Sequence, residues 1–319
     1  LVGEPHKGMR AMFAMMNEER IAVGMQGLGL AEASYQGAVT YARERLQGRS
    51  LTGAKRPDLA ADPLLVHPDI RRMLLTQRAL NEGGRALAAW VSWHHDMSER
   101  HPDPAKRQES EDFVALMTPI VKAFLTDNGF EATNLGVQVF GGHGYIREHG
   151  MEQYVRDARI TQIYEGANGV QALDLVGRKL PAHMGRFLRR FFHPVFEFIE
   201  TRQEDEALAE FVGPLAKVFG RLQQATALLA RKGMSNPDEA GAASVEYLHL
   251  FGYVAFAYLW ARSAEIALKK ADADETGFYR AKLATARFFM ARILPRTSAL
   301  FAALSAGNDT LAAFDDEAF

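Results

Sequence analysis

The sequence has 319 residues, of which 48% are hydrophobic and 24% are charged, and this is enough for two domains of ordinary size with buried cores. A formal net charge of -2 at pH 7 argues against a general binder of nucleic acid or of membrane surfaces. Cysteine is absent, which excludes disulfides, thiolate metal ligands and cysteine nucleophiles, and is compatible with a cytoplasmic protein.

Helical periodicity dominates residues 1–180, and stretches with the strict alternation of β-strands are missing. A loop is predicted at residues 47–68, which contain three prolines and two glycines. The pattern predicts an all-α fold that begins with an up-and-down helical bundle. The predicted helices cover residues 9–16, 17–46, 70–97, 110–127 and 130–140.

A second helical bundle is predicted after a short linker at residues 181–185. The basic run at residues 186–193 is expected to pack between the two bundles rather than on a membrane surface. The mostly apolar, uncharged run at residues 247–261 is shorter than the roughly 20 residues of a spanning helix. We therefore predict a buried core helix there and no membrane span. The helices of this bundle are predicted at residues 205–232, 240–271 and 275–304, before a fraying tail at 305–319.

Two glycine-rich segments suggest a functional site. Residues 157–171 read DARITQIYEGANGVQ and place Glu165 at the end of an amphipathic helical run, before Gly166 and Gly169. A carboxylate beside backbone that can approach a ligand closely can abstract a proton if burial raises its pKa. The alternative is a solvated glutamate near a helix end. The other segment, Gln138–Tyr145, reads QVFGGHGY, and such dense glycines mark backbone that passes close to a flat or phosphorylated group.

These two segments, in this order and spacing, resemble the C-terminal domain of the acyl-CoA dehydrogenases. The resemblance extends upstream to residues 8–48, with the tetrad Asn17–Arg20 and the turn Glu44–Gly48, and downstream to NGVQALDLVGRK at residues 168–179. It implies an FAD-dependent enzyme that desaturates an acyl-CoA thioester between its α- and β-carbons.

The resemblance also divides the chain. It implies that residues 1–180 are the family's C-terminal helical bundle, with residues 1–7 as the end of the preceding β-domain. Residues 181–319 would be an additional C-terminal helical domain, and this layout resembles the branch that includes 3-methylthiopropanoyl-CoA dehydrogenases. Because the chain begins at what resembles the last strand of the β-domain, we expect a C-terminal fragment that binds FAD weakly and is inactive in isolation.

The resemblance assigns the catalytic base to Glu165, which would remove the α-proton while the flavin accepts the β-hydride. Glu19 is the alternative base, because some branches of the family place it just before the arginine of the tetrad. Two carboxylates in one pocket would titrate together. The substrate-binding residues implied by the resemblance are Asn17, Arg20, Tyr164 and Gly166.

The FAD-binding residues are implied in the same way. Arg45 matches the arginine that reaches the FAD pyrophosphate of a neighbouring subunit, and its alternative is a helix C-terminal cation that offsets the macrodipole. After Glu165, where Gly-Thr-x-Gln is common, the chain has Gly-Ala-Asn-Gly, so the usual flavin-contacting side chains are replaced. The full implied set is Arg45, Gln47, Gln138, Gly141, Gly142, Ala167, Asn168 and Gly169.

The expected partners follow from the same resemblance. They are an acyl-CoA substrate, an electron-transferring flavoprotein as electron acceptor, and further copies of the chain in a dimer or tetramer. No metal site is expected at His94, His95 and Asp96, because neighbouring positions on a helix point in different directions. The alternative to an enzyme is a non-catalytic helical module that serves oligomerisation or acts as a scaffold.

Overall fold

The computed structural model describes residues 3–318, without the side chains of residues 10, 13 and 14. Within this range the regular structure is helical and no β-strand is formed, which confirms the predicted all-α class. Of the predicted end of a β-domain, residues 1 and 2 lie outside the described range. The described remainder, residues 3–7, forms bends and turns before the first helix.

The first segment is built on three long helices that pack side by side, α1 against α3 and α3 against α2. The two glycine-rich segments lie in and between shorter helices, which pack against α3. The helices of this segment are α1 (Gly8–Glu44), α2 (Pro68–Arg100), α3 (Pro104–Phe140), α4 (Gly142–Tyr145), α5 (Met151–Thr161) and α6 (Asn168–Asp174).

Two of the predicted helix breaks in this segment are wrong. Helix α1 runs without interruption through residues 16 and 17, and α3 runs through Asp127–Gly129. The glycine at the second of these breaks lies at a close crossing of α1 and α3, where a Cβ on Gly129 would lie 2.6 Å from the carbonyl oxygen of Gly27. A glycine that resembles a helix breaker in sequence here allows two helix backbones to approach each other.

The second segment follows the turn at residues 181–185, where the sequence predicted a linker. The prediction omitted α7, which continues through Pro194, and it joined α11 and α12, which a π-helical turn at Phe289–Ile293 and Pro295 separate. The helices are α7 (Arg186–Arg202), α8 (Ala209–Ser235), α9 (Pro237–Ala242), α10 (Ser244–Lys270), α11 (Phe278–Phe288), α12 (Arg296–Ser305) and α13 (Asp309–Ala312).

Helix α10 is the central helix of the second segment, and both segments contribute to one hydrophobic core around it. Trp90 of α2 packs against Phe113 of α3 and against Tyr258 of α10, with ring centroids 4.5 and 5.4 Å apart. The basic run in α7 also packs on the first segment, because Arg186 and Arg190 both bind the fully buried carboxylate of Asp112. Among the described helices, none is long and apolar enough to cross a membrane.

Candidate active site and cofactor cleft

The turn between α5 and α6 has a strained backbone. Glu165 adopts a φ of 55° and Gly166 a φ of 87°, both in the left-handed region. A non-glycine residue rarely adopts this conformation, and such strain is concentrated at functional sites. Across the described part of the chain, no hydrogen-bond acceptor pairs with the backbone N–H groups of residues 165–167. The turn therefore offers three unpaired donors beside the Glu165 carboxylate.

The side chains of Arg20 and Gln171 bind backbone carbonyl oxygens of this turn. Arg20 of α1 donates from Nε to the carbonyl oxygen of Glu165 at 3.3 Å. The buried Gln171 of α6 donates from Nε2 to the same oxygen at 3.3 Å and to the carbonyl oxygen of Gly166 at 3.2 Å. A Cβ on Gly166 would lie 2.5 Å from Gln171 Nε2, and the φ of 87° at this position favours glycine. The structure thus brings together three of the predicted site residues, Arg20, Glu165 and Gly166.

The two candidate bases, Glu165 and Glu19, both lie near the phenol of Tyr164. Tyr164 donates its hydroxyl to Gln26 Oε1 on α1 and is 38% exposed. Burial, and then the negative charges of Glu165 and Glu19, raise the pKa of Tyr164. Glu19 is solvent-exposed, whereas Glu165 is partly buried in the turn. The geometry therefore favours Glu165 as the group with a fixed position.

Asn168 directs its side chain into the protein. Its Nδ2 donates to Thr126 Oγ1 at 2.9 Å and to Asp127 Oδ1 at 2.7 Å, and its Oδ1 accepts from Lys122 Nζ at 2.7 Å. Lys122 is fully buried, and this burial lowers its pKa to about 8. The amide of Asn168 therefore anchors the start of α6 to α3.

Asp127 lies at the centre of the polar contacts beneath the turn. Its carboxylate accepts from Asn168, from Gln162 Nε2 at 2.6 Å and from His249 Nε2 of α10 at 2.9 Å. Burial of the carboxylate opposes ionisation, but the bonds from His249, Gln162 and Asn168 hold the pKa of Asp127 below its usual value. This group of side chains connects the turn to the second segment.

A separate cleft of about 670 Å³ is lined by five of the eight predicted cofactor residues. It lies between the end of α1, the loop after it and the glycine-rich end of α3. Tyr41 stacks on Phe140 at 4.0 Å between ring centroids and hydrogen-bonds His143 Nδ1 at 2.8 Å. The predicted residues that line the cleft are Arg45, Gln47, Gln138, Gly141 and Gly142.

The wall of this cleft is organised by Asp62, which is completely buried in the loop between α1 and α2. Its carboxylate accepts from the backbone N–H groups of Ser50 at 2.9 Å, Arg56 at 2.7 Å and Lys55 at 3.0 Å. The hydrogen bond from Ser50, supported by the other two, lowers the pKa of Asp62 to about 2. The backbone of Asp62 also pairs with Gln47 and Gly48, which fixes the side of the cleft.

The lining of the cleft has the kinds of groups that a phosphate-bearing cofactor requires. Arg45 and His67 supply cationic or hydrogen-bonding groups, and the glycines at 141 and 142 leave open space where a Cβ would stand. Three predicted cofactor residues do not line it. Ala167 and Gly169 are exposed at the Glu165 turn, and Asn168 points inward.

Asn17 lines a cavity of about 210 Å³ together with Glu18, His95 and Lys179, and Glu165 is not among the residues that line it. In the same region the ligand atoms of Glu18, His95 and Glu99 lie within 4.8 Å of one another. The two glutamates are exposed, and exposed acidic groups often cluster without a metal. His94 turns away from this region and shares a 3.1 Å hydrogen bond with Ser110.

Sequence reasoning missed the residues that support the turn: Gln162, Gln171, Lys122, Asp127 and His249. Only two of them left a signal. Lys122 is the lone charge in the apolar run TPIVKAFLT, and His249 interrupts the uncharged run YLHLFGY. A polar residue inside a predicted core helix requires a partner, although sequence alone does not identify it.

Family models match two consecutive parts of the chain. The model described as "Acyl-CoA dehydrogenase, C-terminal domain" matches residues 6–180, and "Acetyl-CoA dehydrogenase C-terminal like" matches residues 191–315. A 3-methylmercaptopropionyl-CoA dehydrogenase of Ruegeria pomeroyi is 40% identical over 98% of the chain and 53% of its own length. A butyryl-CoA dehydrogenase of Syntrophomonas wolfei is 29% identical over 98% of the chain and 52% of its own length. The chain thus spans about half the length of these relatives.

Solved structures share the fold at lower identity. Caenorhabditis elegans ACDH-11 in complex with C11-CoA superposes with a TM-score of 0.73 at 19% identity, over 91% of this chain and 45% of the other. An acyl-CoA dehydrogenase complexed with FAD from Bacillus anthracis superposes with a TM-score of 0.70 at 20% identity, over 98% of this chain and 52% of the other.

Proposed function

The chain belongs to the acyl-CoA dehydrogenase family, and on this premise we propose that it supplies the catalytic base and part of the FAD site for α,β-desaturation of an acyl-CoA thioester. The similarity to the Ruegeria pomeroyi enzyme suggests 3-methylthiopropanoyl-CoA as the substrate to test first. We propose further that residues 1–180 and 181–319 correspond to the family's C-terminal bundle and to an additional helical domain.

The strained turn at Glu165 is the observation that carries this proposal. Glu165 keeps a left-handed backbone although it is not glycine, and Arg20 and Gln171 both bind its carbonyl oxygen. A fold retains such strain where a side chain must be aimed in one direction. Within the described residues, the N–H groups of residues 165–167 have no acceptor, so they remain available for a ligand beside the carboxylate.

In the proposed reaction, the Glu165 carboxylate removes the α-proton of the thioester. The unpaired N–H groups of residues 165–167 would bind the thioester oxygen and stabilise its developing negative charge. Arg20 fixes the turn through its bond to the backbone of Glu165 and adds a positive charge beside the anionic CoA ester. FAD, when bound, supplies the hydride acceptor.

The cleft at Arg45 is the proposed part of the FAD site. Arg45 would bind the FAD pyrophosphate, with Gln47, Gln138 and the glycines at 141 and 142 beside the adenosine diphosphate portion. Because the Glu165 turn and this cleft are separate, we propose that one chain contributes each to a different FAD within a homo-oligomer. An electron-transferring flavoprotein is the proposed acceptor.

The base assignment is tested with Glu165→Gln in the full protein. This variant keeps the size of the side chain but cannot accept the α-proton, so we expect loss of substrate α-proton exchange while FAD remains bound. The matched control is Glu19→Gln on α1, which should retain exchange. If Glu19→Gln abolishes exchange and Glu165→Gln does not, Glu19 is the base.

A further inference from the structure

The polar group beneath the Glu165 turn has no part in the proton transfer just described. It begins at His249 on α10 and continues through the carboxylate of Asp127 on α3. From Asp127 it reaches Gln162 and Asn168, the residues that flank the turn on its two sides. The contacts therefore extend from the additional helical segment to the proposed base.

The carboxylate of Asp127 binds a side chain at each end of the turn. Asp127 Oδ1 accepts from Gln162 at 2.6 Å and from Asn168 at 2.7 Å, and a backbone bond of 3.0 Å from Asn168 N to Gln162 O completes the ring. The other oxygen, Oδ2, accepts from His249 Nε2 at 2.9 Å. With His249 in place, the carboxylate plane has little freedom to rotate, because both oxygens are engaged.

We infer that His249 is a positioning residue, which orients Asp127 so that Asp127 holds both ends of the Glu165 turn. Helix α10 can do this because it lies very close to α3 at this point. A Cβ on Gly252, one turn along α10, would lie 2.4 Å from Phe124 Cγ of α3. The His249 ring also contacts the Phe124 ring edge-on, at 5.7 Å between centroids.

This inference rests on the proposed function of Glu165, and its consequence is kinetic. Without the donor on His249, the Asp127 carboxylate can turn and release Gln162 or Asn168. The Glu165 turn then samples other positions, which slows proton abstraction more than it weakens CoA binding. Misplacement of a catalytic group by about 1 Å can cost roughly 100-fold in rate. We therefore expect kcat to fall roughly 10- to 100-fold, with KM for the acyl-CoA changed less than about threefold.

The experiment compares three variants of the full protein. His249→Leu removes the donor. His249→Gln places an amide N–H near the position of Nε2 and should restore most of kcat. His94→Leu is the matched control, because His94 is also a partly buried histidine that bonds one α3 side chain, Ser110. All three are measured for kcat, KM and hydrogen exchange at residues 162–168.

The expected result is lower kcat and faster exchange at residues 162–168 in His249→Leu, rescue in His249→Gln, and neither change in His94→Leu. If His249→Leu and His94→Leu behave alike, His249 has only a packing role and the inference is wrong. If His249→Leu does not fold, Asp127→Asn replaces it in the same comparison. If the wild type desaturates no acyl-CoA, the proposed function fails, and exchange at residues 162–168 alone decides whether His249 positions the turn.

Discussion

Glu165, the proposed base, has a backbone conformation that costs free energy. Left-handed backbone costs an L-residue about 1 kcal/mol or more relative to glycine, which adopts it without a Cβ clash. Glu165→Gly should therefore raise the free energy of unfolding by up to about 1 kcal/mol while it abolishes α-proton exchange. Urea unfolding and exchange on the same preparation test both outcomes.

The neighbouring Gly166 provides a control in which a substitution should lower the stability. Gly166→Ala places a Cβ 2.5 Å from Gln171 Nε2 at a φ of 87°, so this variant should lose stability. A Glu165→Gly variant that is less stable than the wild type would contradict the interpretation of the turn as strained.

Lys122 makes the stability of the protein depend on pH in the alkaline range. Burial lowers its pKa from 10.5 to about 8, so between these values the unfolded chain binds the proton and the folded chain does not. Stability attributable to Lys122 therefore rises as pH increases through this window, by up to about 3 kcal/mol at about 1.4 kcal/mol per unit of pKa difference. At pH 7 both states are protonated and the folded state bears the full cost.

The measurement is the free energy of unfolding of wild type minus that of Lys122→Met, from pH 7 to pH 10.5. We expect this difference to increase with pH, because methionine carries no charge to desolvate. The exposed Lys106 provides the control, and the difference between wild type and Lys106→Met should stay flat. A flat difference for Lys122→Met would show that its ammonium group is not desolvated in the fold.

The sequence predicts a residue of this site only where that residue belongs to a local motif. Glu165, Gly166 and Arg20 follow from such motifs, and the structure brings them together. His249 and Asp127 are 122 positions apart, and no periodic pattern connects them. Their contact depends on how α10 crosses α3, which is a property of packing rather than of local propensity.

At the scale of elements, the loop between α1 and α2 depends on one buried carboxylate. Asp62→Asn keeps the shape of the side chain but replaces an acceptor oxygen with a donor that faces backbone N–H groups. We expect the loop at residues 48–61 to exchange its amide hydrogens faster and the full protein to bind FAD more weakly. Asp58→Asn is the control, because Asp58 lies on the same loop with 59% exposure.

The ionised carboxylate of Asp62 stabilises the fold, and this contribution is lost in acid. Its folded pKa is about 2 and the unfolded value is 3.8, so its contribution is present above pH 3.8 and is lost as pH falls through 2. Unchanged FAD affinity in Asp62→Asn would mean that the loop does not shape the cleft.

Helix boundaries were predictable where turn residues cluster and unpredictable where glycine or proline serves packing. The loop predicted at residues 47–68 agrees with the structure, in which α1 ends at Glu44 and α2 begins at Pro68. The break predicted near Gly129 is wrong, because that glycine lets α3 cross α1 at close range. The predicted helices of the second bundle did not include α7, which forms at Arg186–Arg202 and continues through Pro194.

At the scale of the whole molecule, the two sequence segments share one core and should unfold together. Composition changes near residue 181, which suggested two separate bundles. In the structure, side chains of α2 and α3 pack against α10 in a buried cluster to which both segments contribute. Exposing one large core side chain costs about 1.5–3 kcal/mol, against a typical total stability of about 5–15 kcal/mol. Separating the segments would expose several, including Trp90, Phe113 and Phe124.

Gly252→Ala tests this cooperativity at the contact between the segments. The added methyl group would lie 2.4 Å from the Phe124 ring, and such overpacking costs about 1–3 kcal/mol, more than the helix propensity gained. Gly220→Ala on α8 is the control, since nothing lies within 4 Å of its Cβ position and the change should stabilise the helix. In calorimetry, one transition should move to lower temperature as a whole in Gly252→Ala. Two transitions, of which only one moves, would show that the segments unfold independently and that α10 could not hold the Glu165 turn through His249.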